Sequence, residues 1–186
     1  MIPPTVSRHL LPLIYVLFFL SGATGLLYEV VWARMLTQIF GNTTHAIATV
    51  LSAFMAGLAL GSYVFGRLVD TGRNAFLAYG LLEAGVGLYG LMVPTLFALT
   101  QEAYSQLYAL VDVSFTIFSI VLFLLCFIVI VIPTALMGAT LPVLSRFCVT
   151  RFASLGRRVG DLYAINTLGA VMGCALTGFA LISHFG

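Results

Sequence analysis

The sequence predicts an all-α bundle of about five transmembrane helices, on three observations. Hydrophobic residues make up 61% of the 186 residues and charged residues only 8%, which is about a third of the charged fraction usual in soluble domains. The mean hydropathy is +1.13. The apolar residues also gather into runs of about 20, long enough for a helix to cross the ~30 Å hydrocarbon core of a bilayer. These observations exclude a water-soluble fold and predict a single membrane domain over residues 1–186.

Five apolar runs define the predicted spans. They cover about residues 10–34, 46–68, 76–99, 113–137 and 162–183. Strands of a membrane barrel would alternate polar and apolar residues over about 10 positions, whereas residues 117–132 are almost continuously apolar. The spans are therefore predicted to be helices. Pro133 and Pro142 are expected to bend or end the fourth one.

The first run also has the features of a cleaved signal peptide. Arg8, the apolar residues 10–20 and the small residues 21–23 match its charged, apolar and cleavage regions. Leu26 and Leu27 continue the apolar run beyond that cleavage position. This continuation favours a retained first helix, and the signal peptide is the alternative.

The arginines predict the orientation. Seven arginines lie before the first span or at two of the connections between spans. Arg8 precedes the first span; Arg67 and Arg73 lie at the second-to-third connection; and Arg146, Arg151, Arg157 and Arg158 lie at the fourth-to-fifth connection. The positive-inside rule places these regions, and with them the N-terminus, in the cytoplasm. The arginines of residues 146–158 alternate with aromatic residues, and each gains about 1 kcal/mol from anionic lipid headgroups. Docking of a cytoplasmic partner is the alternative for that stretch.

Charge and cysteine content exclude other classes of function. The formal net charge is only +2, and no block of Lys and Arg forms a face for nucleic acid. The three cysteines occur singly, without metal-ligand spacing. His45 and His184 fall at the ends of spans, where single histidines are usually interfacial polar residues rather than haem or metal ligands. No metal and no cofactor is expected.

Small residues recur at four-residue spacing in three spans. They are Ala53, Gly57 and Gly61 in the second, Gly80 and Ala84 in the third, and Gly169, Gly173 and Thr177 in the fifth. This spacing lets helix backbones approach closely in a membrane. It predicts packing within the bundle, and contact with another subunit is the alternative.

Three charged residues are predicted to lie in or near the membrane: Glu29, Arg34 and Glu83. Glu83 falls about 12 Å deep along the third span, and an ionisable group at that depth is by default a functional candidate. It fits a proton-carrying carboxylate, a cation site or a protonated residue that bonds to a neighbouring helix. Glu29 and Arg34 point about 140° apart on a helix, so they are not expected to pair with each other.

Three blocks of sequence resemble the membrane domain of bacterial membrane-bound spermidine-synthase-like proteins. The blocks are residues 22–36 (GATGLLYEVVWARML), 54–62 (FMAGLALGS) and 162–173 (LYAINTLGAVMG). The resemblance implies a location in the bacterial inner membrane and a likeness to part of a major-facilitator transporter. In that family the membrane domain precedes a cytoplasmic aminopropyltransferase domain. This sequence ends at Gly186 without a soluble stretch of that kind, so we do not expect this polypeptide to be an enzyme.

A shorter resemblance concerns residues 66–73 (GRLVDTGR), which are similar to the cytoplasmic loop after the second helix of major-facilitator carriers, with one residue missing between the Asp and the Gly. It implies a charge-relay or gating role for Arg67, Asp70 and Arg73. A solvated turn is the alternative.

These observations lead to one expected function and two alternatives. The expected function is a non-catalytic integral membrane subunit or scaffold, in contact with the lipid bilayer and with other subunits of a larger membrane complex. The first alternative is transport or binding of a small organic cation such as a polyamine, with Glu83 and Glu29 as counter-ions. The second is a fragment of a membrane-bound aminopropyltransferase.

Overall fold

The computed structural model describes residues 10–68, 74–110, 115–148 and 155–185, and within them the secondary structure is helical. The helices are α1 Leu10–Phe40, α2 Thr43–Leu68, α3 Ala75–Leu110, α4 Phe115–Cys148 and α5 Leu155–Leu176, followed by a π-helical turn, Thr177–Leu181, and a short α6, Ile182–Phe185. Five of the described helical segments, the last running from α5 into α6, are long and apolar enough to cross a membrane. The chain is therefore an all-α, multi-pass membrane protein, which confirms the predicted fold class.

The connection between α1 and α2 is defined by two residues. Gly41 adopts a positive φ of 61°, which only glycine tolerates easily at the end of a helix, and its N–H donates to Thr37 O at 3.0 Å. Asn42 Oδ1 then accepts from the N–H groups of Thr44 and His45, at 2.9 and 3.2 Å. This arrangement caps α2. Helix α1 consequently runs to Phe40, six residues beyond the predicted end at Arg34.

Helices α3 and α4 are also longer than their apolar runs. Beyond the predicted end at residue 99, α3 continues through polar helix formers, and Gln106 Nε2 donates to Glu102 Oε1 at 2.8 Å. The two prolines were expected to bend or end this span. Helix α4 continues through Pro133 and Pro142 to Cys148, so neither proline ends it. Pro133 lacks the N–H that would bond to Val129 O, and the neighbouring Thr134 hydroxyl donates to Ile130 O at 2.8 Å.

The helices are arranged around α1 and α4. Helix α2 packs mainly on α4, α5 packs mainly on α1, and α3 packs mainly on α4. Two apolar clusters fill the interior. One contains Trp32, Leu36, Val93, Phe97 and Ile130, and the other contains Ile14, Phe18, Tyr79, Leu144 and Leu162. Because α5 packs mainly on α1, it lies at the periphery of the bundle.

Glycines set the closest helix contacts. A Cβ atom at Gly57 would overlap the Thr134 side chain, and one at Gly61 would overlap the Ala135 backbone, both on α4. Ala53 is fully buried at the same interface. The small residues of α2 therefore pack within the bundle.

The small residues of α5 pack in the same way on α1. A Cβ at Gly169 would overlap Phe19 O, and one at Gly173 would overlap Ala23 O. By contrast, Gly80 and Ala84 of α3 are exposed. The prediction that these two residues pack within the bundle was wrong, because α3 turns its opposite side to α4; the alternative, contact with another subunit, stays a prediction.

Candidate functional site

A groove between α1 and α3 contains Glu83, the intramembrane carboxyl residue that the sequence identified. We call it the α1/α3 groove. It is lined by Leu17, Leu20, Ser21 and Thr24 of α1 and by Phe76, Tyr79, Gly80 and Glu83 of α3, and its volume is about 300 Å³. Apolar side chains form most of its wall. Four oxygen-bearing side chains, two from each helix, face this space.

Helical spacing places these polar side chains together. Ser21 and Thr24 are three residues apart on α1, and Tyr79 and Glu83 are four residues apart on α3, so each pair lies on one face of its helix. Gly80 has no side chain to fill the space between the helices, and a Cβ atom there would meet nothing within 4 Å. Gly80 therefore leaves the α3 wall of the groove open.

The polar atoms of the groove are not fully satisfied. Tyr79 is only 4% exposed, and within the described part of the chain neither Tyr79 Oη nor Glu83 Oε1 has a hydrogen-bond partner. The hydroxyls of Ser21 and Tyr79 lie near enough to interact with the Glu83 carboxyl, but no cationic side chain among the described residues acts on it. A carboxyl group at membrane depth is thus left without a compensating charge.

A smaller cavity lies directly behind Ser21. Its volume is about 90 Å³, and its polar wall residues are Ser21, Thr140 of α4 and Asn166 of α5. This volume is large enough to hold water. Ser21 borders both the groove and this cavity, so this residue separates the two spaces.

Asn166 connects the cavity wall to α1. Its Nδ2 donates to Phe18 O at 3.0 Å, across 148 residues of sequence. A Cβ at Gly22 would overlap the backbone of Asn166, so Gly22 allows this approach. The first and third blocks of the family resemblance are therefore in direct contact.

The other membrane-embedded charged residues lie apart from the groove. Glu29 is partly buried on α1, and no cationic side chain of the described residues acts on it. It follows Ser21 by eight residues, or about 12 Å along the helix. Arg34 is exposed. The structure does not bring Glu29 and Glu83 together as joint counter-ions.

The described arginines of the predicted cytoplasmic side lie at helix ends. Arg67, in the last turn of α2, places its guanidinium 4.1 Å from the centre of the Tyr63 ring. Arg146 is exposed in the last turn of α4, and Arg157 and Arg158 lie in the first turns of α5. Arg158 is close enough to act electrostatically on Cys148. The other predicted members of these groups, Arg8, Asp70, Arg73 and Arg151, lie outside the described residues.

The histidines lie at exposed helix ends. His45 is in the first turn of α2, and His184 is in α6 with its Nδ1 2.8 Å from Ala180 O. Over the described ranges, no three His, Cys, Asp or Glu side chains gather in a way that could hold a metal ion. Cys126 and Cys148 are buried as free thiols.

Sequence reasoning identified Glu83 but missed its surroundings. The spacing of Tyr79 and Glu83 is a local signal that indicates a shared helix face. Ser21 and Thr24 carry no such signal, because only the packing of α1 beside α3 brings them to the carboxyl. The polar contribution of Thr140 to the inner cavity likewise depends on tertiary contacts.

Comparisons with protein families, with curated proteins and with solved structures found no match to this chain. The fold and the groove therefore define the class to which the chain belongs. It is a multi-pass membrane protein built as an all-α bundle, with a single carboxylate in a groove between two of its helices.

Proposed function

We propose that the chain is a non-catalytic membrane subunit that anchors or stabilises a larger complex in the bacterial inner membrane, with its N-terminus in the cytoplasm. The observation that carries this proposal is the outer face of α5. Its large apolar side chains there are more than half exposed, and they are Leu168, Val171, Met172, Leu176 and, in the π-helical turn, Phe179. Phe179 is 88% exposed.

The shape of this face favours a helix of another subunit over fluid lipid chains. A groove of about 510 Å³ runs beside Phe179, with Leu26 of α1 on one side and Ala170 and Cys174 of α5 on the other. A concave apolar groove beside a protruding aromatic ring suits the side chains of a packed helix. π-Helical turns also occur often at functional positions. Both features support a specific partner at α5.

Purification from native membranes in a mild detergent tests this proposal. We expect the chain to elute in a complex of defined stoichiometry, and Phe179→Ala to reduce recovery of the partner. Leu91→Ala is the matched control, because Leu91 is 78% exposed on α3 and lies outside the α5 face. Elution of the wild-type chain as a lone monomer, or equal loss of partner in both variants, would contradict the proposal.

A second candidate function is transport or binding of a small organic cation. The α1/α3 groove supports it, because Glu83 lies there without a cationic partner among the described residues. The sequence suggested Glu83 and Glu29 as the two counter-ions; in the cation site that we propose here, Ser21 and Tyr79 accompany Glu83 instead of Glu29. Uptake of a labelled organic cation into proteoliposomes should fall in Glu83→Gln but not in Glu102→Gln, which changes an exposed carboxylate near the end of α3. Unchanged uptake in Glu83→Gln would remove this candidate.

A further inference from the structure

The α1/α3 groove contains one acidic side chain and a mostly apolar wall. Glu83 is the single carboxylate among the described residues that line it, and Leu17, Leu20 and Phe76 provide apolar surface. Ligand sites in proteins commonly combine apolar walls with a few placed polar groups, in volumes from about 300 Å³ upwards. The groove, at about 300 Å³, has the composition and size of a small-molecule site.

From this geometry we infer that the α1/α3 groove binds an amine that carries one positive charge and an apolar body. The ammonium group lies against Glu83 and donates to Ser21, and the apolar body lies against Leu17, Leu20 and Phe76. The inference rests on the second function proposed above and names its class of ligand.

The charge of the ligand follows from the number of carboxylates. A single ammonium group compensates Glu83 and leaves the site neutral. The next acidic residue on the facing helix, Glu29, is eight residues from Ser21, about 12 Å along α1. A polyamine with three charges would place two of them against apolar side chains, and burial of an unpaired charge is costly. The groove therefore selects against multiply charged amines.

The donors of an ammonium group also match the acceptors of the groove. Tyr79, 4% exposed, borders the groove with an unpartnered hydroxyl, and Glu83 Oε1 is likewise unpartnered within the described residues. An ammonium group has three N–H donors and no acceptor. Within the groove it donates to the Glu83 carboxyl and to the Ser21 hydroxyl oxygen. The ammonium group thereby supplies the opposite charge that the Glu83 carboxyl lacks among the described residues.

The route by which a ligand would enter the α1/α3 groove explains why we infer an apolar body for it. Leu20 is 52% exposed and Phe76 is 38% exposed, and Thr24 and Gly80 are also exposed at the groove edge. In a membrane these residues face the acyl chains, so the groove opens sideways into the bilayer. An amine with an aromatic or aliphatic body partitions into that region and reaches Glu83 laterally.

The test uses the full chain in lipid nanodiscs and three probes: benzylamine, benzyl alcohol and spermidine. Binding is measured by calorimetric titration. We expect benzylamine to bind at least about tenfold more tightly than its neutral analogue benzyl alcohol, since hydrogen bonds to charged groups contribute about 1.5–3 kcal/mol. Spermidine is expected to bind more weakly than benzylamine.

Two variants locate the site. Glu83→Gln should weaken benzylamine binding by at least about tenfold, whereas Glu102→Gln, at an exposed position, should leave it unchanged. Gly80→Leu should also abolish binding, because it fills the groove without altering the carboxyl. A Cβ at Gly80 meets nothing within 4 Å, so this variant keeps the test available if Glu83→Gln does not fold.

Each outcome separates the inference from the function on which it rests. Spermidine binding that is tighter than benzylamine binding and depends on Glu83 would overturn the singly charged class but retain cation binding. Equal affinity for benzylamine and benzyl alcohol, or unchanged affinity in Glu83→Gln and Gly80→Leu, would overturn the groove as an amine site. Absence of binding by any amine would overturn both. None of these results bears on the subunit proposal at α5.

Discussion

At the scale of single residues, glycine identity sets the distance between helix backbones. The four-residue spacing of Gly57, Gly61, Gly169 and Gly173 predicted close contacts, and each of these residues lies against a neighbouring helix. The same spacing at Gly80 and Ala84 did not produce a contact. Small residues permit close approach, but the remaining surface of the helix decides which side turns inward.

Gly61→Ala should destabilise the bundle. The added Cβ would overlap the Ala135 backbone, which cannot move aside as a side chain can, and overpacking of this kind costs about 1–3 kcal/mol. Thermal unfolding in detergent should show a lower Tm. Gly66→Ala is the control, since nothing lies within 4 Å of a Cβ at that position of the same helix. Its Tm should be unchanged or slightly raised, and equal destabilisation of both variants would refute the packing argument.

Asn166→Leu should weaken the attachment of α5 to α1. It removes the bond from Nδ2 to Phe18 O at 3.0 Å, and hydrogen bonds between membrane helices contribute about 0.6–1.7 kcal/mol. The loss should appear as reduced stability in a reversible unfolding assay. Thr167→Val changes a neighbouring exposed residue whose hydroxyl bonds within its own helix, to Tyr163 O, and it should have a smaller effect. The reverse order of effects would contradict this assignment.

At the scale of helices, apolar run length predicted the existence of each span but not its ends. Helix α1 ends where Gly41 takes a positive φ, seven residues after Arg34. Helix α3 continues into polar residues that water and local bonds can solvate. Helix α4 passes two prolines, which membrane helices tolerate within a packed bundle. Hydropathy does not report these local effects.

Tryptophan fluorescence can test which residues lie in the interior of the bundle and which face the lipid. Trp32 is the single tryptophan of the chain; it is 1% exposed and stacks on Tyr28 with ring centres 5.2 Å apart. Brominated lipids should therefore quench its emission weakly. In a Trp32→Phe background, Leu91→Trp should be quenched strongly, because Leu91 is 78% exposed. Strong quenching of native Trp32 would contradict its interior position.

At the scale of the whole molecule, five spans and the arginine distribution predict one orientation. Successive spans alternate in direction, so the end of α2, the end of α4 and the start of α5 lie on the same side. Arg67, Arg146, Arg157 and Arg158 are found at those ends. The positive-inside rule predicts that this side is cytoplasmic.

Cysteine labelling in intact cells tests this orientation. A membrane-impermeant maleimide should label Thr43→Cys, at the start of α2, above the wild-type background. It should not label Gly156→Cys, at the start of α5, until the membrane is permeabilised. Both positions are exposed. Labelling of Gly156→Cys alone in intact cells would reverse the predicted topology.

Composition and the length of the apolar runs were sufficient to establish a helical membrane protein with five spans, because the ~30 Å hydrocarbon core restricts which structures can cross it. They also identified Glu83, since a carboxylate within such a run is conspicuous. The surroundings of Glu83 were decided by tertiary structure. Lipid-facing and protein-facing positions are both apolar in a membrane helix, so the sequence carries little information about which faces meet. Only the packing of α1 beside α3 places Ser21 next to Glu83 and leaves a groove at Gly80.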